Sequence, residues 1–149
     1  MKKLVLAIAV IAAIYGWQRF NSSGDSSAPA IIASSPAINI DDRLESAFQQ
    51  QRSGVQVTGE GIVTRILDDD SEGSRHQRFI LRLASGRTLL VAHNVDLAPR
   101  IATLNPGDTV AFNGEYEWNE KGGLIHWTHR DPNGQHEAGW LKHNGETYQ

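Results

Sequence analysis

The apolar residues of this chain recur at every second position from Val55 onward, and this period constrains the fold more than any other feature. Val55, Val57 and Val63 alternate with polar residues, and Phe79 and Leu81 continue the pattern between two arginines. A period of two places successive side chains on opposite faces of a strand. The pattern therefore predicts a domain that is mainly β.

Turn-forming residues separate the alternating runs. Ser85-Gly86 and Lys121-Gly122-Gly123 predict tight turns, and Asn105-Pro106-Gly107-Asp108 predicts another. We therefore predict five strands, with a short helix, interrupted by Pro99, between the third strand and the fourth. The strands cover residues 55–63, 78–83, 87–93, 110–118 and 124–130, and the short helix covers residues 96–104.

Residues 1–20 predict a signal anchor or a signal peptide. Lys2 and Lys3 precede an apolar, uncharged run of 14 residues, which is short against the roughly 17–25 residues that a spanning helix needs. Bulky Trp17 and Phe20 near the end of the segment suit a membrane interface and favour an uncleaved anchor. We therefore expect the rest of the chain to lie on the periplasmic side of the inner membrane, or free in the periplasm if the segment is cleaved.

The remainder of the chain divides into three parts. Residues 21–39 are rich in Ser, Ala and Pro and predict a flexible tether. Residues 40–54 predict a short helix, because apolar residues recur there at i, i+3 and i+4 and Gly54 can end the helix. Residues 55–149 are expected to form one domain.

Composition narrows the classes of function. The chain contains no cysteine, and its net charge is −3. The absence of cysteine excludes a structural disulfide and a thiolate metal site. Because a generic nucleic-acid-binding domain is basic, the charge argues against broad binding to phosphate backbones and leaves specific recognition of nucleic acid open.

Histidine and tryptophan concentrate near the C-terminus, since residues 114–148 hold three of the four Trp and four of the six His. Asp131-Pro132-Asn133-Gly134 predicts a type I turn followed by a left-handed glycine, and hence a C-terminal hairpin that opposes His126 to Trp140. One face of this hairpin would carry His126, Thr128, Arg130, His136 and Trp140, and the other face would carry Ile125, Trp127, His129 and Leu141.

The predicted order of strands and helix resembles the OB-fold, a five-stranded Greek-key barrel. Residues 104–114, LNPGDTVAFNG, are similar to the entry into strand four of many OB domains. Residues 75–81, 93–100 and 126–132, which read RHQRFIL, HNVDLAPR and HWTHRDP, resemble an uncharacterised family of small bacterial envelope proteins. This resemblance implies a fold and a location, and it implies no activity.

The ends of several strands meet at one rim of an OB-fold, so the resemblance implies a polar rim. Such a rim binds a divalent ion or transfers protons, or it is polar only because loops face water. The residues expected at this rim are Asp68, Asp69, Asp70, Arg75, His76, His93, Asn94, Asp96, His126 and His129. The first candidates among them are Asp68, Asp70, His76, His93 and Asp96. A metal ion would use His126 and His136 with a third histidine, either His93 or His76.

A fainter resemblance concerns the staphylococcal-type nucleases, OB barrels whose catalytic residues lie at the ends of strands one to three. Residues 68–70 and 94–100 are similar to that family's acidic loop and to its Ile-Asp-x-Pro-Glu segment. Arg100 stands where the segment has its glutamate, so the general base of that family is missing here.

These observations favour a non-catalytic periplasmic binding module, whose ligand is nucleic acid, glycan or peptide. The expected ligand-binding residues are Arg78, Arg82, His126, Arg130, His136 and Trp140. Two alternatives remain open, namely a metal-dependent hydrolase or nuclease that uses the rim and an adaptor that contacts another envelope protein. We expect a monomer without a cofactor, or with a divalent metal ion if the histidines bind one.

Overall fold

A computed structural model of the protein describes residues 40–149, which form one helix and seven strands. The signal segment and the tether expected at residues 1–20 and 21–39 lie outside the described residues. Within residues 40–149, no helix has the length and apolar character needed to cross a membrane. The elements are α1 (Ile40–Gln49), β1 (Val55–Asp70), β2 (His76–Arg82), β3 (Thr88–Asn94), β4 (Thr109–Glu117), β5 (Leu124–His126), β6 (Trp140–His143) and β7 (Glu146–Tyr148).

The helix α1 packs on the sheet through its apolar face, where Leu44 is buried in the core. Its end is set by Gln51, which takes a left-handed conformation with φ 53°. The N–H of Arg52 then donates to the carbonyl of Ala47 at 2.9 Å, which is a Schellman arrangement. The helix therefore ends before Gly54, the residue expected to end it.

Five of the strands form a closed ring. β1 pairs with β2, β2 with β3, β3 with β5, β5 with β4, and β4 with β1. The pairing of β3 with β5 is parallel, and the other four pairings are antiparallel. β6 and β7 extend the sheet from β4. The prediction of a mainly β domain with five principal strands is confirmed.

The long strand β1 pairs with two neighbours because it bends. Residues 55–62 lie against β4, and the later residues lie against β2. A register shift between Val63 and Arg65 marks a β-bulge at the change of partner. Gly59 lies opposite Phe112 in the β1–β4 register, and a Cβ added there would lie 2.7 Å from Cζ of Phe112. Glycine thus lets the aromatic ring pack directly over the strand.

The core lies inside the ring, where alternate residues of the strands point. Each large apolar side chain buried there contributes about 1.5–3 kcal/mol to folding. The largest fully buried side chains of the ring strands include Tyr116, Phe79, Phe112, Leu81 and Ile125.

The helix predicted at residues 96–104 is wrong, because the described chain between β3 and β4 forms turns there. Asn94 begins the first turn by accepting the backbone N–H of Asp96 at its side-chain oxygen, at 2.9 Å. The buried amide of Gln77 then bonds to both the N–H and the carbonyl of Ile101, at 3.0 and 2.9 Å. A tertiary partner therefore satisfies backbone groups that a helix would have paired within itself.

The hairpin predicted to oppose His126 to Trp140 is also wrong. The strand β5 ends at His126 because Trp127 takes a left-handed conformation with φ 50°. The predicted turn does form, since the N–H of Gly134 donates to the carbonyl of Asp131 at 3.0 Å. It closes a loop instead of a pair of strands, and residues 127–139 are called the His/Trp loop below.

Both ends of the His/Trp loop are held by β4. Glu115 pairs with His126 in β5, and Asn113 pairs with Trp140 in β6, so β5 and β6 occupy one edge of β4 in succession. The two ends approach closely at Gly139, where an added Cβ would lie 1.9 Å from the carbonyl oxygen of Trp127. Only glycine fits this crossing.

A different hairpin forms at residues 140–148 and joins β6 to β7. β6 and β7 pair with His143 opposite Glu146, and Asn144 and Gly145 between them have φ values of 49° and 82°. Two successive positive φ angles define a type I′ turn, for which Asn-Gly is the preferred sequence. The Asn-Gly pair is visible in the sequence, whereas the hairpin predicted above turns earlier, at residues 131–134.

Candidate functional site

A cleft of about 210 Å³ opens where β2 begins and where β3 and β5 end. Three imidazoles, one indole and one amide line it. We call it the histidine cleft, and its lining residues are His76, Ala92, Asn94, Leu97, His126, Trp127 and His129. Polar side chains of these types donate and accept hydrogen bonds, while Trp127 and Leu97 add apolar surface.

Strand direction brings these residues together. β3 and β5 are parallel, so their C-terminal ends, at Asn94 and His126, lie at the same edge of the ring. β2 is antiparallel to β3 and begins there, with His76 opposite Asn94. The His/Trp loop then adds Trp127 and His129 as soon as β5 ends. Of the expected rim residues, His76, Asn94, His126 and His129 line the cleft.

His93 points into the protein instead of toward the cleft and is fully buried. Its Nδ1 lies 2.8 Å from Oγ1 of Thr128 and its Nε2 lies 3.0 Å from the carbonyl oxygen of Pro99. Burial lowers its pKa to about 4, so the ring is neutral near pH 7. His93 therefore ties the segment after β3 to the His/Trp loop, and both ring nitrogens that could hold a metal ion are engaged.

The acidic residues of the expected rim form ion pairs or turns. Asp69 pairs with the guanidinium of Arg100, and Asp96 pairs with Arg75 at 2.8 Å. The hydrogen bond from the Arg100 side chain lowers the pKa of Asp69, and hydrogen bonds from the Arg75 backbone and side chain lower that of Asp96. Arg100 thus neutralises the carboxylate of Asp69.

The remaining acidic rim residues have local roles. The carboxylate of Asp70 accepts the backbone N–H of Glu72 at 3.0 Å. The backbone carbonyl of Asp68 accepts the Nε of Arg78 at 2.9 Å. These contacts order the turn between β1 and β2.

His136 packs beside the cleft on two partners. Its ring stacks on Trp127 with centroids 4.1 Å apart and an angle of 10°. Its Nε2 lies 2.6 Å from Oε2 of Glu115, and its Nδ1 lies 2.8 Å from the carbonyl oxygen of Glu137. Because a carboxylate and a carbonyl only accept, both ring nitrogens donate in the charged form. Partial burial opposes the charge, but the two hydrogen bonds outweigh it and raise the pKa of His136.

Glu115, Glu117 and His126 form a second group, the carboxylate–imidazole cluster. Nε2 of His126 lies 3.5 Å from Oε1 of Glu115 and 3.6 Å from Oε1 of Glu117. One ligand atom from each residue lies within 4.8 Å of the other two. Burial opposes ionisation of Glu115, but its hydrogen bond to His136 and the charges of both histidines hold its pKa below the ordinary value.

The sequence prediction missed the two glutamates of this cluster. They flank buried Tyr116 on β4, so the alternation alone places both on the outer face. Their proximity to His126 depends on the register between β4 and β5. The hairpin predicted from the sequence opposed His126 to Trp140 instead. Among the described residues, His93, His126 and His136 do not converge as a metal-ligand group.

The model of one protein family, described as "Protein of unknown function (DUF3465)", matches residues 27–149. The chain belongs to the DUF3465 family. No curated protein matches it. The sequence resemblance to an uncharacterised family is thereby confirmed, and the family's description supplies no ligand and no activity.

The other expected ligand-binding residues of this DUF3465 chain occupy separate places. Arg78 lies on the outer face of β2 opposite Ala92, one of the cleft residues, and Arg82 is exposed at the far end of the strand. Arg130 is exposed in the His/Trp loop. Trp140 lies on β6 under Nζ of Lys142, which is 4.4 Å from its ring centroid. Only Arg78 among these four is the direct strand neighbour of a cleft residue.

Proposed function

We propose that the chain is an OB-fold binding module whose ligand occupies the histidine cleft. The strand order β1-β2-β3-β5-β4, closed by β1 on β4, is the order of a five-stranded Greek-key barrel. The parallel pairing of β3 with β5 and the bulged first strand that serves two neighbours support the same assignment. In such a fold the β2–β3 face and the adjoining loops offer the common binding surface.

The observation that carries the proposal is the position of the histidine cleft on this surface. Its His76 and Asn94 belong to β2 and β3, and His129 belongs to the His/Trp loop. His129 uses Nδ1 on the carbonyl of Arg130 at 2.8 Å, which leaves Nε2 for a ligand. The volume of about 210 Å³ lies below the roughly 300–1,000 Å³ typical of sites for whole small molecules. It suits one unit of a longer chain.

The charge beside the cleft favours a ligand with negative groups. Within residues 40–149, neither Arg78 nor Arg82 pairs with a carboxylate, whereas Asp69 and Asp96 are already paired with Arg100 and Arg75. The Nε of Arg78 donates to the carbonyl of Asp68, and the charges of both guanidinium groups along β2 suit carboxylate or phosphate groups. Single-stranded nucleic acid, an anionic glycan and an acidic peptide all share this chemistry.

The same ion pairs make the rim a weaker candidate for hydrolysis. A carboxylate that neutralises an arginine offers less to a metal ion or an attacking water than a free one. We therefore favour the non-catalytic binding module over the hydrolase or nuclease. We propose further that the module acts on the periplasmic side of the inner membrane, held there by residues 1–20, because Lys2 and Lys3 precede an apolar run.

Binding of labelled oligomers to the full-length protein tests the proposal. The probes are a dodecamer of deoxythymidine, an oligoglutamate and a uronic-acid tetrasaccharide, measured by fluorescence anisotropy in EDTA. His76→Ala and Arg78→Ala should each weaken binding of the responding probe at least tenfold, which is about 1.4 kcal/mol. Arg52→Ala, an exposed arginine before β1, is the matched control and should bind normally. Failure of all three probes, or wild-type affinity in both cleft variants, would contradict the assignment of the cleft.

A further inference from the structure

The outer face of β4 and β5 carries the carboxylate–imidazole cluster on a rigid base. Glu115 lies opposite His126, and Glu117 lies opposite Leu124, in the antiparallel register of the two strands. Because strand positions fix where side chains start, the three functional groups meet without any loop having to order. Sites built on strands hold their ligands more accurately than sites on loops.

The central atom of the cluster is unsatisfied by the described residues. Nε2 of His126 is buried and has no hydrogen-bond partner within residues 40–149, although two carboxylate oxygens lie 3.5 and 3.6 Å away. A buried polar atom without a partner is costly, and each such atom in a native protein calls for an explanation. Two ligand atoms that are each about 2.1 Å from a tetrahedral ion lie roughly 3.4 Å apart. The two distances from Nε2 of His126 are therefore close to those between ligands around one cation, and all three ligand atoms lie within 4.8 Å of one another.

We propose that Glu115, Glu117 and His126 bind one divalent transition-metal ion. One imidazole with two carboxylates suits zinc and its first-row neighbours, whereas calcium and magnesium take oxygen ligands. Two carboxylates and a neutral imidazole neutralise the charge of the ion. Three protein ligands also leave a fourth position for water or for a group of a bound molecule, as in open zinc sites.

His136 orients the cluster from outside. Oε2 of Glu115 is held by Nε2 of His136 at 2.6 Å, and this contact leaves Oε1 facing His126. His136 is itself held by Trp127 and by the carbonyl of Glu137. A partner of this kind fixes the direction of a metal-ligating carboxylate, and its loss commonly weakens metal affinity by about 10–100-fold.

The metal site stands apart from the proposed cleft function, because neither glutamate lines the histidine cleft. Only His126 belongs to both. The site is therefore tested with zinc ions alone, and the oligomer probes above are tested in EDTA, so that either result can fail without the other.

Titration of the EDTA-stripped, dialysed full-length protein with zinc chloride by calorimetry tests the site, with cobalt absorption as a second readout. We expect one ion per chain and the visible bands of a four-coordinate cobalt site. Glu117→Gln and His126→Gln should each weaken zinc binding at least tenfold, and His136→Gln should weaken it without abolishing it. Glu60→Gln changes an exposed glutamate on β1 and is the matched control.

Circular dichroism of each variant checks that it is folded. If His126→Gln unfolds, the comparison of Glu117→Gln with wild type decides whether the site binds zinc. Zinc binding at wild-type affinity in Glu117→Gln, or no zinc binding by the wild-type protein, would overturn the proposal. Equal loss in Glu60→Gln would show adventitious binding to surface carboxylates and would overturn it as well.

Discussion

The packing of Phe112 on Gly59 permits a quantitative test of the ring. The two residues lie opposite each other in the β1–β4 register, Phe112 is fully buried, and a Cβ on Gly59 would lie 2.7 Å from Cζ of Phe112. Phe112→Ala should cost about 3–5 kcal/mol of unfolding free energy through lost burial and a cavity. Gly59→Ala should cost about 1–3 kcal/mol through overpacking, reduced by roughly 0.5–1 kcal/mol because alanine is better than glycine within a strand.

The double variant should be far more stable than the sum of the two costs predicts. Removal of the Phe112 ring abolishes the overpacking, and the new methyl group of residue 59 fills part of the cavity, a gain of roughly 0.8 kcal/mol. The two substitutions should thus be coupled by about 2–4 kcal/mol, well above the roughly 0.3–0.5 kcal/mol within which independent sites add.

Urea denaturation of the four proteins, followed by circular dichroism, measures this coupling. Gly61→Ala supplies a control, because its Cβ would meet the carbonyl oxygen of Arg82 at 2.9 Å and Cβ of Leu81 at 3.1 Å, and not the Phe112 ring. Phe112→Ala should therefore not rescue Gly61→Ala. Additive costs for Gly59→Ala with Phe112→Ala would refute the β1–β4 register and the closure of the ring.

Two further predictions concern the His/Trp loop. The pKa of His136 is raised in the folded protein, so its charge stabilises the fold below the ordinary pKa of 6.5, and this contribution is lost as the pH rises through the folded pKa. The difference in melting temperature between wild type and His136→Gln should therefore shrink from about pH 5.5 to about pH 8.5. An unchanged difference would argue against a charged His136. Gly139→Ala would place a Cβ 1.9 Å from the carbonyl oxygen of Trp127 and should cost more than about 3 kcal/mol of unfolding free energy, the upper end of ordinary overpacking. Gly134→Ala has φ 65° and no described atom within 4 Å of the new Cβ, so it should cost only about 1–2 kcal/mol through backbone strain. Similar urea midpoints for these two variants would contradict the crossing at Gly139.

The ring could be predicted from the sequence because alternation is a local signal. Each ring strand carries its own apolar residues at a period of two, as at Phe79 and Leu81, and this pattern survives whatever the partner strand is. The predicted helix at residues 96–104 failed for the opposite reason. Gln77, distant in sequence, bonds to the backbone of Ile101, and no local pattern reveals such a partner.

The candidate site was predictable only in its parts. The expected gathering of polar residues where β2 begins and β3 and β5 end is seen in His76, Asn94 and His126, because strand direction follows from the fold. The left-handed conformation of Trp127 ends β5, and an indole side chain gives no warning of a positive φ. The pairing of Glu115 with His126 depends on the β4–β5 register, which the alternation within one strand does not determine.

The exposed turn of the His/Trp loop, residues 132–135, can change without disturbing the sheet, since β4 holds both ends of the loop and Gly139 fixes the crossing. Twelve of its residues, 127–138, precede this glycine and close on a turn of their own. The arrangement is like that of an antibody, in which a rigid framework presents exchangeable loops. Libraries of sequences that replace residues 132–135 could therefore be selected for new ligands, while Thr128 and His136 keep their contacts with His93 and Glu115.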